Sequence, residues 1–309
     1  MSPDTPSLVL VSFAVGIVIG LTGMGGGALM TPALIYLGVP PTSAVANDLV
    51  AAVVNKSVGA VVHWRSAAPH LTLAAWLIAG SVPTALAGAF IVREVGSDDP
   101  EAFLRLAIGI TLLVAASAYV LRTYLSMRGT LDSAGVTLDD PRVRVLPTFT
   151  IGVVGGLLVG ITSVGSGSVM MVALLLLYPA LSAVRLVGTD LVQAIPLVVA
   201  AAISHVIVTG VDWSVLLPLV AGGTPGTFLG ARLAHRVSQS LLRRGIAIVL
   251  ALTGLSMLHV PPAGIAIAAA AFVVVGPLAW AALRMSHDLP PFQQRPWLAT
   301  RVRDRHHRW

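Results

Sequence analysis

The chain has 309 residues, of which 56% are hydrophobic and only 10% are charged, against about 25% charged in a soluble domain. Its formal net charge is +6, and it contains no cysteine, which excludes disulfides, thiolate metal sites and cysteine nucleophiles. Several continuous apolar runs reach about 20 residues, the length that crosses a bilayer, and they lack the alternation of a β-barrel. The composition therefore predicts an all-α integral membrane protein whose positive charge lies in loops rather than binding nucleic acid.

Short apolar segments open the chain. A helix is predicted at 8–21, is broken by glycines, and resumes at 27–38, where Pro40-Pro41 ends it because proline cannot continue a helix. Residues 1–7 contain no Lys or Arg, so we expect the first helix to be retained rather than cleaved as a signal peptide. Long apolar helices and a polar linker follow, predicted at 44–63, 71–92, 102–125 and 126–146.

The second part of the chain repeats this order. A short helix is predicted at 147–161, with a break at 162–167 and a second piece that ends at Tyr178-Pro179. Further apolar helices are predicted at 184–208, 213–235, 241–259 and 263–284. The expected domains are a first transmembrane repeat, a polar linker, a second transmembrane repeat, an extra transmembrane helix and a basic tail, at 1–125, 126–146, 147–259, 260–285 and 286–309.

An internal duplication underlies this order. The run from Gly20 to Met30 is matched 140 positions later by the run from Gly160 to Met170. Asn47-Asp48-Leu49 is matched by Thr189-Asp190-Leu191 at an offset of 142. Hydrophobic helices that glycines interrupt at corresponding places in two halves are the best sequence indication of the binding site of a transporter. The two breaks are therefore the first candidates for function.

The orientation of the repeats depends on whether the broken elements cross the membrane. Their pieces of roughly 12–16 residues are too short to span untilted. If each broken element returns to the side it entered, each half crosses three times and the repeats are inverted; if all elements cross, the halves are parallel. The inverted arrangement separates most loop arginines from the acidic loop 94–101, which fits positively charged cytoplasmic loops. We expect inverted repeats, each opening with a glycine-broken re-entrant helix, in the plasma or inner cell membrane with a cytoplasmic C-terminus.

The two glycine-rich breaks have the chemistry of an anion site. Glycine lets the backbone turn with its amide groups facing a ligand, and a helix that restarts there presents free N–H groups and the positive end of its dipole. The alternative is that the glycines only allow helices to pack closely, as small residues do in membranes. The predicted substrate-binding residues of the breaks are Thr22, Gly25, Gly26, Gly27, Thr162, Ser163, Gly165, Ser166, Gly167 and Ser168.

Charged and polar residues interrupt the long apolar helix after each break. Asp48, Asn55 and Lys56 fall near one helical face in the first half, and Asp190 and Gln193 occupy the corresponding helix in the second. Intramembrane charges usually face a cavity or a partner. We therefore predict Lys56 as the counter-charge for an anion, Asn55 and Gln193 as further binding residues, and Asp48 and Asp190 as proton carriers.

Structural interpretations stay open beside these. In the alternative, Asp48 and Asp190 cap their helices, and Lys56 pairs with an acid. His63 and His205 lie near predicted helix ends, so they are expected to be interfacial rather than ligands.

The motifs resemble the TauE/SafE family of membrane permeases, also called sulfite exporters. The resemblance covers 8–259 and rests on GLTGMGGG at 20–27, GITSVGSG at 160–167, ANDL at 46–49, GTDL at 188–191 and the Asn55-Lys56-Ser57 step. It implies a two-repeat helical carrier of sulfite, sulfonates or related small sulfur-containing anions. Val198 stands at the position that matches Lys56, so the implied site is asymmetric.

We therefore predict a secondary membrane transporter of a small anion, sulfite or an organosulfonate, with possible proton coupling. Its predicted partners are the anion and the lipid bilayer, and no enzyme activity, cofactor, metal or nucleic acid is expected. The sequence leaves the oligomeric state open. A passive anion channel is the alternative within transport. An intramembrane serine hydrolase, with Ser166 as nucleophile and His205 as base, and a structural membrane subunit are the alternatives outside it.

Overall fold

The described parts of the chain are almost entirely helical. A computed structural model describes residues 4–22, 26–63, 69–96, 98–127, 142–179, 181, 183–234, 237 and 239–285. These residues form eleven α-helices and no β-strand, and six of the helices are long and apolar enough to cross a membrane. The helices are α1 (Thr5–Thr22), α2 (Gly27–Tyr36), α3 (Pro41–His63), α4 (Leu71–Val95), α5 (Pro100–Met127), α6 (Val145–Thr162), α7 (Val169–Leu177), α8 (Ala183–Val208), α9 (Trp213–Leu233), α10 (Gln239–Met257) and α11 (Pro262–Met285).

The predicted helices occur, and glycine-rich breaks separate α1 from α2 and α6 from α7. The prediction that both pieces of each broken element are too short to span is wrong for the first pieces. The helices α1 and α6 have 18 residues each, which is about 27 Å of helix, enough to cross a membrane. They begin earlier than predicted because Pro6 and Pro147 lie in the first turn, where proline is tolerated. The second pieces, α2 and α7, have 10 and 9 residues and are too short to span.

Two predicted regions lie largely or wholly outside the described residues. The polar linker is described only at its two ends, and the basic tail 286–309 is not described. The chain divides into one compact unit, Met1–Val260, and a second unit, Pro261–Trp309, whose described helix is α11. The boundaries of the two repeats stay predictions.

Helices α1 and α9 pack backbone to backbone. A Cβ atom added at Gly20 would overlap the carbonyl oxygen of Thr227, so only glycine permits this approach. The contacts advance together along both helices. The Ser12 hydroxyl donates to the Pro218 carbonyl oxygen at 3.2 Å, and further along Gly20 lies beside Gly230. The two helices therefore run in the same direction.

The same packing recurs between α4 and α6. Gly80 lies against Gly152, and Gly88 lies against Gly160, with no room for a Cβ atom at any of the four. Because the contacting positions increase together, α4 and α6 run in the same direction. In the duplication α1 corresponds to α6 and α4 to α9, so each broken element packs against a helix of the other half.

Helix α8 shares the direction of α4. Near the start of both helices, the His70 backbone N–H donates to Thr189 Oγ1 at 2.9 Å. Fifteen residues later on both, the Ser204 hydroxyl donates to the Ala85 carbonyl oxygen at 3.4 Å. The helices α4, α6 and α8 therefore form one parallel set.

Helix α7 lies back along α6. Met170, at the start of α7, fills the space beside Gly155 in the middle of α6. Tyr178, just after α7, lies at the beginning of α6, where its hydroxyl is 2.6 Å from Thr148 Oγ1 and accepts from the Arg144 backbone N–H at 2.8 Å. The chain therefore reverses its direction at the second break.

We predict that Tyr178→Phe destabilises the protein. Tyr178 is 4% exposed, and the change leaves the Arg144 N–H and the Thr148 hydroxyl without their partner. The loss should be about 1–3 kcal/mol of unfolding free energy, measured as a lower melting temperature in detergent. Tyr36→Phe is the control, because Tyr36 is 58% exposed. Equal melting temperatures for the two variants would contradict the packing of α7 on α6.

Candidate functional site

The two breaks touch each other. Helix α2 restarts at Gly27, and a Cβ atom there would overlap the carbonyl oxygen of Ser163 in the second break. Ser163 itself ends α6 in the left-handed region, with φ 62°, which costs an L-residue roughly 1–2 kcal/mol. Two residues later Gly165 has φ 124°, a conformation that glycine adopts readily. Glycine at 27 and the turn at 163–165 are thus what bring the breaks into contact.

Asp48 of α3 holds both breaks. Its Oδ2 accepts from the Thr31 hydroxyl of α2 at 2.5 Å and from the Ser163 hydroxyl at 2.9 Å. Its Oδ1 is 3.8 Å from the position of a Cβ atom at Gly26, and the residue is 2% exposed. The interpretation of Asp48 as a helix cap is wrong, since its carboxylate bonds to side chains of two other elements.

Lys56, two turns after Asp48 on α3, contacts the second break. Its Nζ donates to the Ser166 hydroxyl at 3.2 Å, and the side chain is half-buried. The ammonium lies within electrostatic range of both Asp48 and Asp190. Within the described residues, neither carboxylate is close enough to Lys56 to form an ion pair. Its neighbour Asn55 points elsewhere and accepts from the Thr224 hydroxyl of α9 at 2.9 Å.

Asp190 of α8 has simpler surroundings. Gln193, one turn later on the same helix, donates Nε2 to Asp190 Oδ1 at 3.1 Å and lies 3.8 Å from the sulfur of Met170. Asp190 is 7% exposed and Gln193 is fully buried. The capping interpretation is wrong here too, because the carboxylate accepts from a side chain rather than from the first N–H groups of its helix.

Two of the predicted donors are already used within their own helices. The Thr22 hydroxyl donates to the Val18 carbonyl oxygen at 2.7 Å, and the Thr162 hydroxyl donates to the Leu158 carbonyl oxygen at 2.6 Å. Both hydroxyls therefore bond within the last turn of their own helix. Of the other predicted residues, Ser168 is buried at the start of α7 without a side-chain cap bond, Gly167 is half-buried, and Gly25 lies outside the described residues.

The sequence predicted an interfacial position for His205. In the structure this side chain is buried, with 1% of its surface exposed. Its Nε2 lies 2.7 Å from the carbonyl oxygen of Gly160, near the end of α6. The nucleophile and base of the hydrolase alternative are thus not paired in the described residues, since Ser166 bonds to Lys56. The side chain of His63 lies outside the described residues.

Sequence reasoning missed two hydroxyl residues of the site, Thr31 and Thr224. Thr31 bonds to Asp48, and Thr224 bonds to Asn55. Each lies in a short polar interruption of an apolar helix, which is a weak signal by itself. Together the described groups supply the Lys56 ammonium, several hydroxyls and two carboxylates, a set that can bind an anion and exchange protons.

The chain is similar over most of its length to proteins of one family. The family model described as sulfite exporter TauE/SafE matches residues 8–257. The chain is 33% identical over 261 residues to the probable membrane transporter protein YjnA of Bacillus subtilis (strain 168), covering 82% of this chain and 99% of that protein. It is 25% identical over 252 residues to the probable membrane transporter protein YdhB of the same organism, covering 81% and 99%. No solved structure matches it.

We predict that Gly27→Ala disrupts the site while Gly26→Ala does not. The methyl group at 27 would displace the backbone of Ser163, whereas the nearest atom at 26 is the flexible end of Ile19, at 3.2 Å. The expected loss for Gly27→Ala is about 1–3 kcal/mol, read as a lower melting temperature in detergent. Closely matching melting curves for the two variants would show that the breaks do not touch at Gly27.

Proposed function

The chain belongs to the TauE/SafE sulfite exporter family, and from that premise we propose that it is a secondary transporter that carries a small anion, sulfite or an organosulfonate, across the cell membrane. The substrate class follows from the family, and the site is the contact of the two breaks. The observation that carries the proposal is Lys56, a cation within an apolar helix whose described partner is a serine hydroxyl.

The position of Lys56 supports an anion site. A charge in a membrane-spanning segment costs about 2.5–3.5 kcal/mol on insertion scales, so it is retained where it has a partner or a function. The hydrogen-bond partner of Lys56 among the described residues, the Ser166 hydroxyl, is neutral, and Asp48 and Asp190 act on the ammonium only from a distance. An anionic oxygen beside Lys56 would accept from both Nζ and that hydroxyl. The N-terminal amides of α2 and α7, at Gly27 and Val169, add donors of the kind that anions prefer.

The two buried carboxylates support proton coupling. Lys56 interacts electrostatically with both Asp48 and Asp190, so an incoming anion competes with them for the same cation. Protonation of a carboxylate would release the ammonium for the anion. An anion and a proton would then cross together with no net charge, which lowers the cost of passing an apolar interior.

The directions of the helices support inverted repeats. The helices α8 and α9 are consecutive crossing candidates, so they must run in opposite directions. Helix α1 runs with α9, and α6 runs with α8, so the equivalent elements α1 and α6 run in opposite directions. If each broken element crossed once, as the other helices do, α4 and α8 would be the third and sixth crossings and therefore antiparallel, which the contact of His70 with Thr189 and that of Ala85 with Ser204 oppose. The return of α7 along α6 supports re-entrant broken elements, and the basic tail then lies in the cytoplasm.

Uptake of labelled sulfite into proteoliposomes tests the function. Saturable uptake that increases with an imposed pH gradient is the expected result, and competition with methanesulfonate would extend the substrates to sulfonates. Uptake that rises linearly with concentration would identify a passive channel instead. Absence of uptake of both anions, in liposomes that contain folded protein, would contradict the proposed substrate class.

We predict that Lys56→Gln reduces uptake and Lys56→Arg retains part of it. Removing the cation should cost about 1.5–3 kcal/mol of anion binding, roughly a ten- to hundredfold weaker apparent affinity. Ser57→Ala is the control, because the Ser57 hydroxyl is exposed and bonds to its own helix at the Val53 carbonyl oxygen. Undiminished uptake by Lys56→Gln would remove Lys56 from the site.

We predict that Ser133→Cys and Thr209→Cys are labelled from opposite sides of the membrane. Inverted repeats place the linker inside and the α8–α9 connection outside, whereas crossing of every element places both on one side. The chain has no cysteine of its own, so each variant carries a single label site. A membrane-impermeant maleimide should label Thr209→Cys in intact cells and Ser133→Cys only after permeabilisation. Labelling of both from the same side would overturn the inverted arrangement.

A further inference from the structure

The two aspartates of the site occupy equivalent positions in the repeats. Each is the eighth residue of its helix, Asp48 in α3 and Asp190 in α8, and the two are 142 positions apart. Both are more than nine-tenths buried. From their positions in the backbone alone, the two carboxylates would be expected to have the same function.

Their surroundings differ. Asp48 accepts hydrogen bonds from Thr31 and Ser163, one hydroxyl from α2 and one from the second break. At the offset of 140 that relates the breaks, the equivalents of these two residues are Met171 and Gly23, neither of which has a hydroxyl. Both hydroxyl partners are therefore present for one aspartate only.

Asp190 accepts a single hydrogen bond, from Gln193 of its own helix. The charged groups that face it among the described residues are Lys56 of α3 and Arg122 of α5, while α7 contributes the neutral side chain of Met170 beside Gln193. Asp48 is faced by Lys56 of its own helix and by the two hydroxyls. Asp190 thus lies near two cations but is bound to no other element by a hydrogen bond in the described residues.

We infer that the two aspartates have divided roles: Asp48 stays ionised and clamps the two breaks together, with Thr31 and Ser163 as its positioning residues, whereas Asp190 takes up and releases the transported proton. The role of Asp190 rests on the proposed function, whereas the role of Asp48 does not. The proton passes from water on one side to the Asp190 carboxylate, which becomes a neutral carboxyl group, and is released from it on the other side.

The geometry favours this division for two reasons. Hydrogen bonds donated to a carboxylate stabilise its charged form, and Asp48 has two of them from neutral groups that do not leave with the substrate. Ser163 also keeps a left-handed backbone, which a glycine would adopt with less strain, and the hydroxyl that it supplies reaches Asp48. Asp190 has one amide donor, and neutralising it would break no hydrogen bond between elements.

The first arm of the test needs no substrate. Melting temperatures in detergent are measured for Asp48→Asn, Asp190→Asn, Thr31→Val and Ser163→Ala. The clamp predicts a clear decrease for Asp48→Asn, Thr31→Val and Ser163→Ala, and little change for Asp190→Asn. In the Asp48→Asn background, Thr31→Val should lower the melting temperature less than it does in the native protein, because a neutral amide oxygen accepts a weaker hydrogen bond than a carboxylate. Equal melting temperatures for the Asp48→Asn and Asp190→Asn variants would overturn the clamp.

The second arm separates proton coupling from anion binding. Asp190→Asn should lose the stimulation of sulfite uptake by a pH gradient, because asparagine cannot take up the proton, while labelled sulfite should still exchange between equal concentrations. Thr31→Val and Ser163→Ala should slow exchange severalfold yet keep that stimulation. Retained stimulation in Asp190→Asn, or its loss in Thr31→Val, would overturn the division of roles.

The two arms also distinguish this inference from the proposed function. If the native protein exchanges neither sulfite nor methanesulfonate, the proposed function fails and the proton role of Asp190 fails with it. The melting temperatures still test whether Asp48 holds the two breaks together. If exchange occurs and only the pattern of variants differs, the function stands and the division of roles is wrong.

Discussion

The contact between the two chain breaks is the constraint on which the rest of the site depends. Gly27 can lie against Ser163 because glycine has no side chain, and this contact brings the start of α2 to the end of α6. Asp48 then reaches a hydroxyl on each side. If the breaks were further apart, the carboxylate would lose one of these bonds. Burial of the Asp48 carboxylate would then be less favourable, because one of its hydrogen bonds would be missing.

The helices around the breaks explain how that contact is positioned. Each first piece lies on a helix of the other half, α1 on α9 and α6 on α4, and glycines such as Gly20 and Gly160 allow backbones to touch. Packed backbones of this kind have no side-chain layer that could yield between them. A carrier needs units that shift against each other around a fixed site, and these two pairs, which meet at the breaks, are suited to that motion.

The sequence was sufficient for features that depend on local chemistry. Apolar runs located the helices, and glycines located both breaks. The duplication identified Asp48 and Asp190 as equivalent. It was not sufficient for contacts between residues far apart in the chain, such as Thr31 with Asp48 or His205 with Gly160. Residue type alone also does not predict that a threonine hydroxyl in a helix bonds to the carbonyl oxygen one turn earlier, as that of Thr162 does.

The duplication retained the backbone features and varied the side chains. Glycines at the breaks and an aspartate after each are present in both halves. The cation and its hydroxyl partner are present once: Val198 stands where Lys56 would recur, and Gly26 stands where Ser166 would. The two halves therefore share the glycines and the aspartate but differ in the side chains around them, and the pair of Lys56 with Ser166 has no equivalent.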